Sequence, residues 1–198
     1  MPLRKFFLIL SVSTVVLLFT AFYVRTFTQQ LPDSQLPVLG QVNDFNLRDS
    51  QGKSFSLENL KGKIWVADFI FTTCAGICPV MTKNMGYLQS AIMVFDNVDL
   101  VSISVNPEQD NVDELARYAK EKKANINRWH FLTGSREDIQ KLAVGSFKVG
   151  SVSEPIFHSD RFILVDQEGK IRGYYEGTKV EGINRILQDI NHLRKGVR

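Results

Sequence analysis

The stretch "IWVADFIF", residues 64–71, is apolar at every position except Asp68. A strand with one face in water alternates apolar and polar side chains, whereas a strand covered on both faces is apolar throughout. We interpret "VDLVSISV", residues 98–105, as a second buried strand of the same kind. Two such strands need helices on both faces of their sheet, so the sequence predicts an α/β domain with a central β-sheet flanked by helices.

Helical and strand patterns alternate along the rest of the chain. Apolar side chains at helical spacing predict helices over residues 79–92, 110–123, 135–145 and 180–195. Shorter strand patterns cover residues 44–49, 54–57, 128–133, 161–166 and 171–177, and the turns "SQGK" and "QEGK" predict two hairpins.

Residues 6–24 carry no charged side chain and as a helix would be roughly 28 Å long, close to the apolar thickness of a bilayer. The alternative is a cleaved signal peptide, whose apolar region is usually shorter and ends at a small-x-small site. "TAFYVRTF" offers no convincing site, so we expect one uncleaved transmembrane helix. Arg4 and Lys5 outweigh Arg25 and predict that the N-terminus stays inside. The folded domain would then face the periplasm or another extracytoplasmic space.

The sequence divides into a predicted anchor, a linker and a folded domain, and its net charge is unevenly distributed among them. Residues 1–25 form the predicted anchor, 26–40 a polar linker with two prolines, and 41–198 the folded domain. The formal net charge is +3, and the predicted anchor holds three basic residues and no acid, so the remainder is neutral. A neutral domain without a basic tract gives no indication of nucleic-acid binding.

Both cysteines of the chain, Cys74 and Cys78, lie in "DFIFTTCAGICPVM", where the first buried strand turns into a helix. Pro79 suits the first helical turn, which places Cys78 near the helix N-terminus and predicts a lowered pKa for its thiol. A structural disulfide closing so short a loop would stabilise little, so we expect a functional pair. The spacing alone leaves a disulfide switch and a pair of soft metal ligands both open.

Further metal ligands are scarce in this sequence. Four protein ligands, as a structural zinc site requires, are hard to find among two cysteines and three histidines. His158 precedes a predicted strand in a loop that could approach the cysteines, whereas His130 fits a structural role and His192 a solvated one. Met81 and Met85 have the spacing of core side chains. A Cys74–Cys78–His158 set would suit Cu(I) and leave one side open for transfer.

The stretches "DFIFTTCAGICPVM", "SISVNPEQDNVDELARYA", "RWHFLTG" and "HSDRFILVDQEGKIRGYYEGT" resemble the Sco/SenC family of copper proteins with a thioredoxin-like fold. The resemblance runs from about Gln41 to the C-terminus. It implies that Cys74, Cys78 and His158 bind copper through the C-x-x-x-C-P motif and a distant histidine. It also implies delivery of copper to the CuA centre of cytochrome c oxidase subunit II, or a similar acceptor, by a metallochaperone that is not itself an enzyme.

Two other functions remain open at this point. One is a thiol–disulfide reductase that keeps the CuA-site cysteines reduced, and the other is a redox sensor. General dithiol exchange normally uses C-x-x-C with a proline before the strand equivalent to "FILVD", where Arg161 stands here. Four positions depart from residues that are frequent in the family. Ala75 stands in place of proline, Asn106 in place of aspartate, Asn111 in place of threonine, and Phe157 in place of an acid beside the histidine.

Overall fold

The computed structural model describes residues 36–151 and 159–195, together with the helical residues Val16, Phe19 and Thr20. The chain divides into two units, Met1–Gln35 and Leu36–Arg198. Apart from those three helical residues, the predicted membrane anchor lies outside the described residues. Residues 26–35 of the predicted linker also lie outside them, whereas residues 36–40 are described. Among the residues that are described, no helix is both long enough and apolar enough to cross a bilayer.

Eight strands form one sheet in the described part of the chain. The strands are β1 Gly40–Gln41, β2 Asn46–Asp49, β3 Ser54–Ser56, β4 Ile64–Ile70, β5 Val98–Ser104, β6 Trp129–Thr133, β7 Arg161–Val165 and β8 Lys170–Glu176. Their spatial order is β1-β8-β7-β4-β5-β6-β2-β3, and the two outer strands, β1 and β3, are also the shortest. All strands and both hairpins predicted from the sequence are present, and β1 is added at the boundary between the predicted linker and the predicted domain.

Four α-helices connect and cover these strands. They are α1 Cys78–Ala91, α2 Val112–Glu121, α3 Arg136–Gln140 and α4 Val180–Lys195. The helix predicted over residues 135–145 is more complex than its pattern indicates, because α3 is followed by a π-helical segment, Lys141–Ser146. The other predicted helices agree with the structure to within a few residues.

The pairing directions place the cysteines at one end of the sheet. β4, β5 and β6 are parallel neighbours, with Ile70 opposite Ser104, so their carboxyl ends share an edge. β7 runs antiparallel to β4, with Ala67 opposite Ile163, so β7 begins at the edge where β4 ends. Ligand sites of open α/β sheets lie at this carboxyl edge.

Both faces of β4 are covered, as its apolar run predicts. Ile64, Val66 and Ile70 pack with side chains of α1, α2 and α4 on one face. Trp65, Ala67 and Phe69 pack on the other face with the segment from α3 to Phe147 and with the β2–β3 hairpin. The core packing predicted for Met81 and Met85 is confirmed, since both are fully buried between α1 and the sheet. The burial of β4 on both faces and the alternation of strands and helices along the chain both agree with the predicted α/β fold.

Candidate functional site

The loop 71–77 links β4 to α1 and carries the first cysteine. The backbone N–H of Cys74 donates to the carbonyl of Phe71 at 3.1 Å, which closes a turn at the end of the strand. α1 then begins at Cys78, with Pro79 in its first turn, where a missing N–H costs nothing. The predicted junction of strand and helix is thus confirmed, with one cysteine in the loop and the other at the first helical position.

The two sulfur atoms lie next to each other in a largely buried setting. Both cysteines are free thiols, and their residues are only 8% and 4% exposed. Burial alone would raise the pKa of Cys74, but hydrogen bonds to its sulfur from the Cys78 thiol and from the N–H groups of Cys78, Gly76 and Ile77 outweigh it. The pKa of Cys74 is therefore lower than that of an ordinary thiol, because the Cys78 thiol and the N–H groups of loop residues Gly76 and Ile77 and of Cys78 at the start of α1 point at this sulfur.

Cys78 behaves in the opposite way, which corrects the prediction made from its position. Burial raises the pKa of Cys78 to about 12, with further increases from its hydrogen bond to Cys74 and from the negative charges of Cys74 and Asp68. The prediction of a lowered pKa at Cys78 is wrong because burial outweighs the effect of the helix N-terminus. The N–H groups of Gly76, Ile77 and Cys78 are directed at the Cys74 sulfur instead.

Asp68 lies beneath the cysteines as the single polar side chain in the middle of β4. It is fully buried, and its Oδ1 accepts a hydrogen bond of 2.6 Å from Ser102 on β5. Trp129 donates in turn to the Ser102 hydroxyl at 2.9 Å. Oδ2 of Asp68 is buried and has no hydrogen-bond partner among the described residues. Burial raises the pKa of Asp68 to about 7, so a proton on this acid is stable near neutral pH.

A second buried polar contact joins the helix of Cys78 to its neighbour. The hydroxyls of Thr82 on α1 and Tyr118 on α2 lie 2.8 Å apart. Burial raises the pKa of Tyr118 to about 12, with added increases from the charges of Asp68 and Cys78. The phenol is therefore neutral and holds α1 in register with α2 beneath the cysteine pair.

The third predicted site residue, His158, lies outside the described residues, as does Phe157. Ser159 is described and is buried just before β7, whose start lies at the edge where β4 ends. Among the described residues, no three His, Cys, Asp or Glu side chains form a group that could hold a metal ion. The assignment of Cys74, Cys78 and His158 as a ligand set stays a prediction.

The other two histidines are described. The structural role predicted for His130 is confirmed, because its Nε2 lies 3.3 Å from Oδ2 of the buried Asp99 and its ring packs on Phe55. His192 is half-buried on α4 and is therefore less solvated than predicted. Neither residue lies in the loop that carries the cysteines.

Two departures from the usual family residues have clear structural roles. Asn111 is the N-cap of α2, and its side chain accepts a hydrogen bond of 3.0 Å from the N–H of Glu114. Threonine, frequent in the family at that position, caps helices in the same way. Asn106 donates through Nδ2 to Oε1 of Gln109 at 3.1 Å, a bond that an aspartate could not donate. Both replacements therefore support the loop between β5 and α2.

Comparison with known proteins gives a consistent picture. A family model described as SCO1/SenC matches residues 37–195. The chain is 37% identical to the "SCO1 protein homolog" of Bacillus subtilis, over 82% of this chain and 86% of the relative. It is 30% identical to a "Putative copper-binding protein" of Stutzerimonas stutzeri, over 78% and 79% of the two chains.

A solved structure gives the same relationship in three dimensions. BsSco, described as a member of the Sco family of cytochrome c oxidase assembly proteins with a disulfide switch, is 35% identical to this chain. The match covers 80% of this chain and 96% of BsSco, with a TM-score of 0.71. The mixed α/β fold described above is thus the thioredoxin-like fold of Sco proteins. The chain belongs to the SCO1/SenC family.

Proposed function

We propose that this chain is a membrane-anchored copper chaperone that delivers copper to the CuA centre of cytochrome c oxidase subunit II during assembly. One observation carries the proposal: two free, adjacent thiols meet at the strand–helix junction of a chain that belongs to the SCO1/SenC family. Relatives described as copper-binding, and as cytochrome c oxidase assembly proteins, support it.

The chemistry of the pair suits a soft cation. Thiolates are the ligands that Cu(I) prefers, and neighbouring sulfurs can hold one ion between them. Cys74 ionises more easily than an ordinary thiol, and Cys78 adds a second sulfur from the first turn of α1. Binding of a metal ion to a thiol displaces its proton, so we expect copper affinity to increase with pH.

His158 is the proposed third ligand, by resemblance to the family. The position of the neighbouring chain supports this choice, since Ser159 is buried immediately before β7 and β7 begins beside the end of β4. Two thiolates and one imidazole hold a copper ion while leaving a side open to the ligands of an acceptor. Such a site can both retain the ion and release it.

Copper titration of the purified full chain tests the ligand set. We expect one Cu(I) per chain, lost in Cys74→Ser and Cys78→Ser because each variant removes a charged soft ligand. His158→Ala should weaken binding by roughly 1–3 kcal/mol, the scale of a lost charged hydrogen bond. His192→Ala is the matched control and should bind like the parent chain. Near-native affinity in either serine variant would exclude this site.

A thiol–disulfide reductase serving the same oxidase subunit is the second candidate, and a redox sensor would use the same pair. The unequal thiols favour redox chemistry, because an ionised Cys74 can attack a disulfide while Cys78 stays protonated. A disulfide switch is described for BsSco. His158→Ala distinguishes the candidates: a reductase keeps its function without this imidazole, whereas a copper donor loses affinity and oxidase assembly.

Membrane anchoring through residues 6–24, with the domain outside the cytoplasm, is part of the proposal. The native thiols are largely buried, which slows their reaction with a bulky impermeant reagent, so the test uses an exposed position on α1. Ser90→Cys, in a chain with both native cysteines replaced by serine, places one accessible thiol there. Intact spheroplasts should react with a membrane-impermeant maleimide. Reaction only after lysis would place the domain on the cytoplasmic side.

A further inference from the structure

We infer that Asp110 is a positioning residue for the Cys74–Cys78 pair. It holds the loop 71–77 in the arrangement in which the two thiols are not joined by a disulfide. Its carboxylate does not touch the sulfurs, and it acts through Thr72. The inference adds a residue to the site proposed above, and its redox test does not depend on copper delivery.

The contacts of Asp110 form a compact clamp. The residue is fully buried at the start of the segment leading into α2. Its Oδ1 accepts a hydrogen bond of 2.5 Å from the Thr72 hydroxyl, and its Oδ2 accepts one of 3.0 Å from the Thr72 N–H. Oδ2 also accepts a bond of 2.6 Å from Ser104 at the end of β5. These three donors converge on the carboxyl group, so both of its buried oxygens have hydrogen-bond partners.

The clamp acts on a loop whose central residues are largely exposed. Thr73, Ala75 and Gly76 are exposed, whereas Cys74 between them is buried. Thr72 lies two residues before Cys74 and directly after Phe71, whose carbonyl accepts from the Cys74 N–H. Holding both the backbone and the side chain of Thr72 therefore fixes the turn from which the Cys74 sulfur faces α1.

Fixing this turn favours the dithiol over the disulfide. The sulfurs interact here as hydrogen-bonded thiols, whereas a disulfide requires about 2.05 Å between them. Closing that gap moves Cys74 towards α1 and strains the bonds of Thr72 to Asp110. Loss of the clamp should therefore make closure easier and move the dithiol–disulfide equilibrium towards the disulfide.

Equilibration of the full chain in glutathione buffers measures this effect. Two thiols and one oxidised glutathione give the Cys74–Cys78 disulfide and two reduced glutathiones, so atoms and electrons balance. In Thr72→Val, which loses only the hydroxyl bond, and in Asp110→Asn, we expect the constant for disulfide formation to rise about tenfold, a potential about 30 mV more negative.

Two threonine variants serve as matched controls. Thr72→Ser keeps both bonds to Asp110 and should retain the parent equilibrium within about twofold. Thr73→Val makes the same change one residue along, where the hydroxyl makes only a 3.3 Å exposed contact to Gln109, and should also match the parent. Thermal unfolding of each variant establishes that it is folded. Because Thr72 is half-exposed, we expect Thr72→Val to fold. It therefore tests the positioning role even if Asp110→Asn does not fold.

The outcomes separate this inference from the proposed function. A parent-like equilibrium in folded Thr72→Val would overturn the positioning role, as would an equal shift in Thr73→Val. A shift in Thr72→Val alone supports it, whether or not the chain binds copper. If the parent chain binds Cu(I), the Cu(I) affinity should also fall about tenfold in Thr72→Val, because the same arrangement of two separate thiols holds the ion. Failure of the parent to bind copper would count against the proposed function only.

Discussion

Ser102 donates a 2.6 Å hydrogen bond to Oδ1 of Asp68, and this bond joins the two central strands directly beneath the cysteines. The other carboxylate oxygen of Asp68 is buried, and no group in the described part of the chain forms a hydrogen bond with it. An ionised carboxylate in such a position is costly, whereas a protonated one needs less hydrogen bonding. The acid is therefore held close to its neutral form.

The pH dependence of stability should reveal this acid. The pKa of Asp68 is raised by burial from 3.8 to about 7, so between those values the folded state holds a proton that the unfolded state has lost. Stability is then present at low pH and is lost as pH rises through 7. Between pH 5 and 8.5 the parent should lose about 2–3 kcal/mol of unfolding free energy that Asp68→Asn retains. Urea denaturation of the reduced chain measures both.

Asp113→Asn supplies the control, because it makes the same change on the exposed surface of α2. Its stability should follow that of the parent across the pH range. Parallel curves for Asp68→Asn and the parent would show that Asp68 is ionised in the folded state throughout.

The two thiols should differ in reactivity. In Cys78→Ser the remaining Cys74 keeps a hydroxyl neighbour and its backbone donors, so its alkylation by iodoacetamide should reach half-maximum below the ordinary thiol pKa of about 8.5. In Cys74→Ser the negative neighbour of Cys78 is gone, but burial still holds the pKa of Cys78 above its ordinary value. The pH–rate profiles measure this order, and a reversed order would contradict it.

The Thr82–Tyr118 contact should couple the two helices energetically. Tyr118→Phe and Thr82→Val each leave one buried hydroxyl without its partner, and each should cost about 1–2 kcal/mol of unfolding free energy. The double variant should cost less than the sum of the two, because it removes both members of the pair. Additive losses in the double-mutant cycle would show that the hydroxyls do not interact.

The cap of α2 gives a test of one family departure. Asn111→Ala removes the acceptor of the Glu114 N–H and should cost about 1 kcal/mol. Asn111→Thr restores a capping hydroxyl and should stay within about 0.5 kcal/mol of the parent. Chemical denaturation distinguishes these values. An equal loss in both variants would mean that asparagine has a role at this position beyond capping.

Local patterns were enough to predict most of the architecture. The apolar runs of β4 and β5 encode burial on both faces, and Pro79 marks the first turn of α1, so the location of the cysteines follows from neighbouring residues. The π-helical segment after α3 was not predictable in this way, because it continues the periodicity of a normal helix. Its backbone is determined by packing.

The electrostatics of the site depend on long-range contacts. Asp68 stood out in the sequence as the one polar residue of an apolar run, yet its effect on Cys78 depends on burial beneath α1. Thr72 and Asp110 are separated by 38 positions and meet only because β4 and β5 pair in parallel. Spacing between the cysteines could not indicate which sulfur receives the N–H groups of Gly76, Ile77 and Cys78.

The short strands at the two ends of the sheet have a consequence for self-association. β1 has two residues and β3 has three, so neither outermost strand offers much backbone for another chain to extend. Long, regular edges are the usual starting point for intermolecular strand addition and aggregation. Copies of this domain crowded side by side should therefore not join readily through β1 or β3.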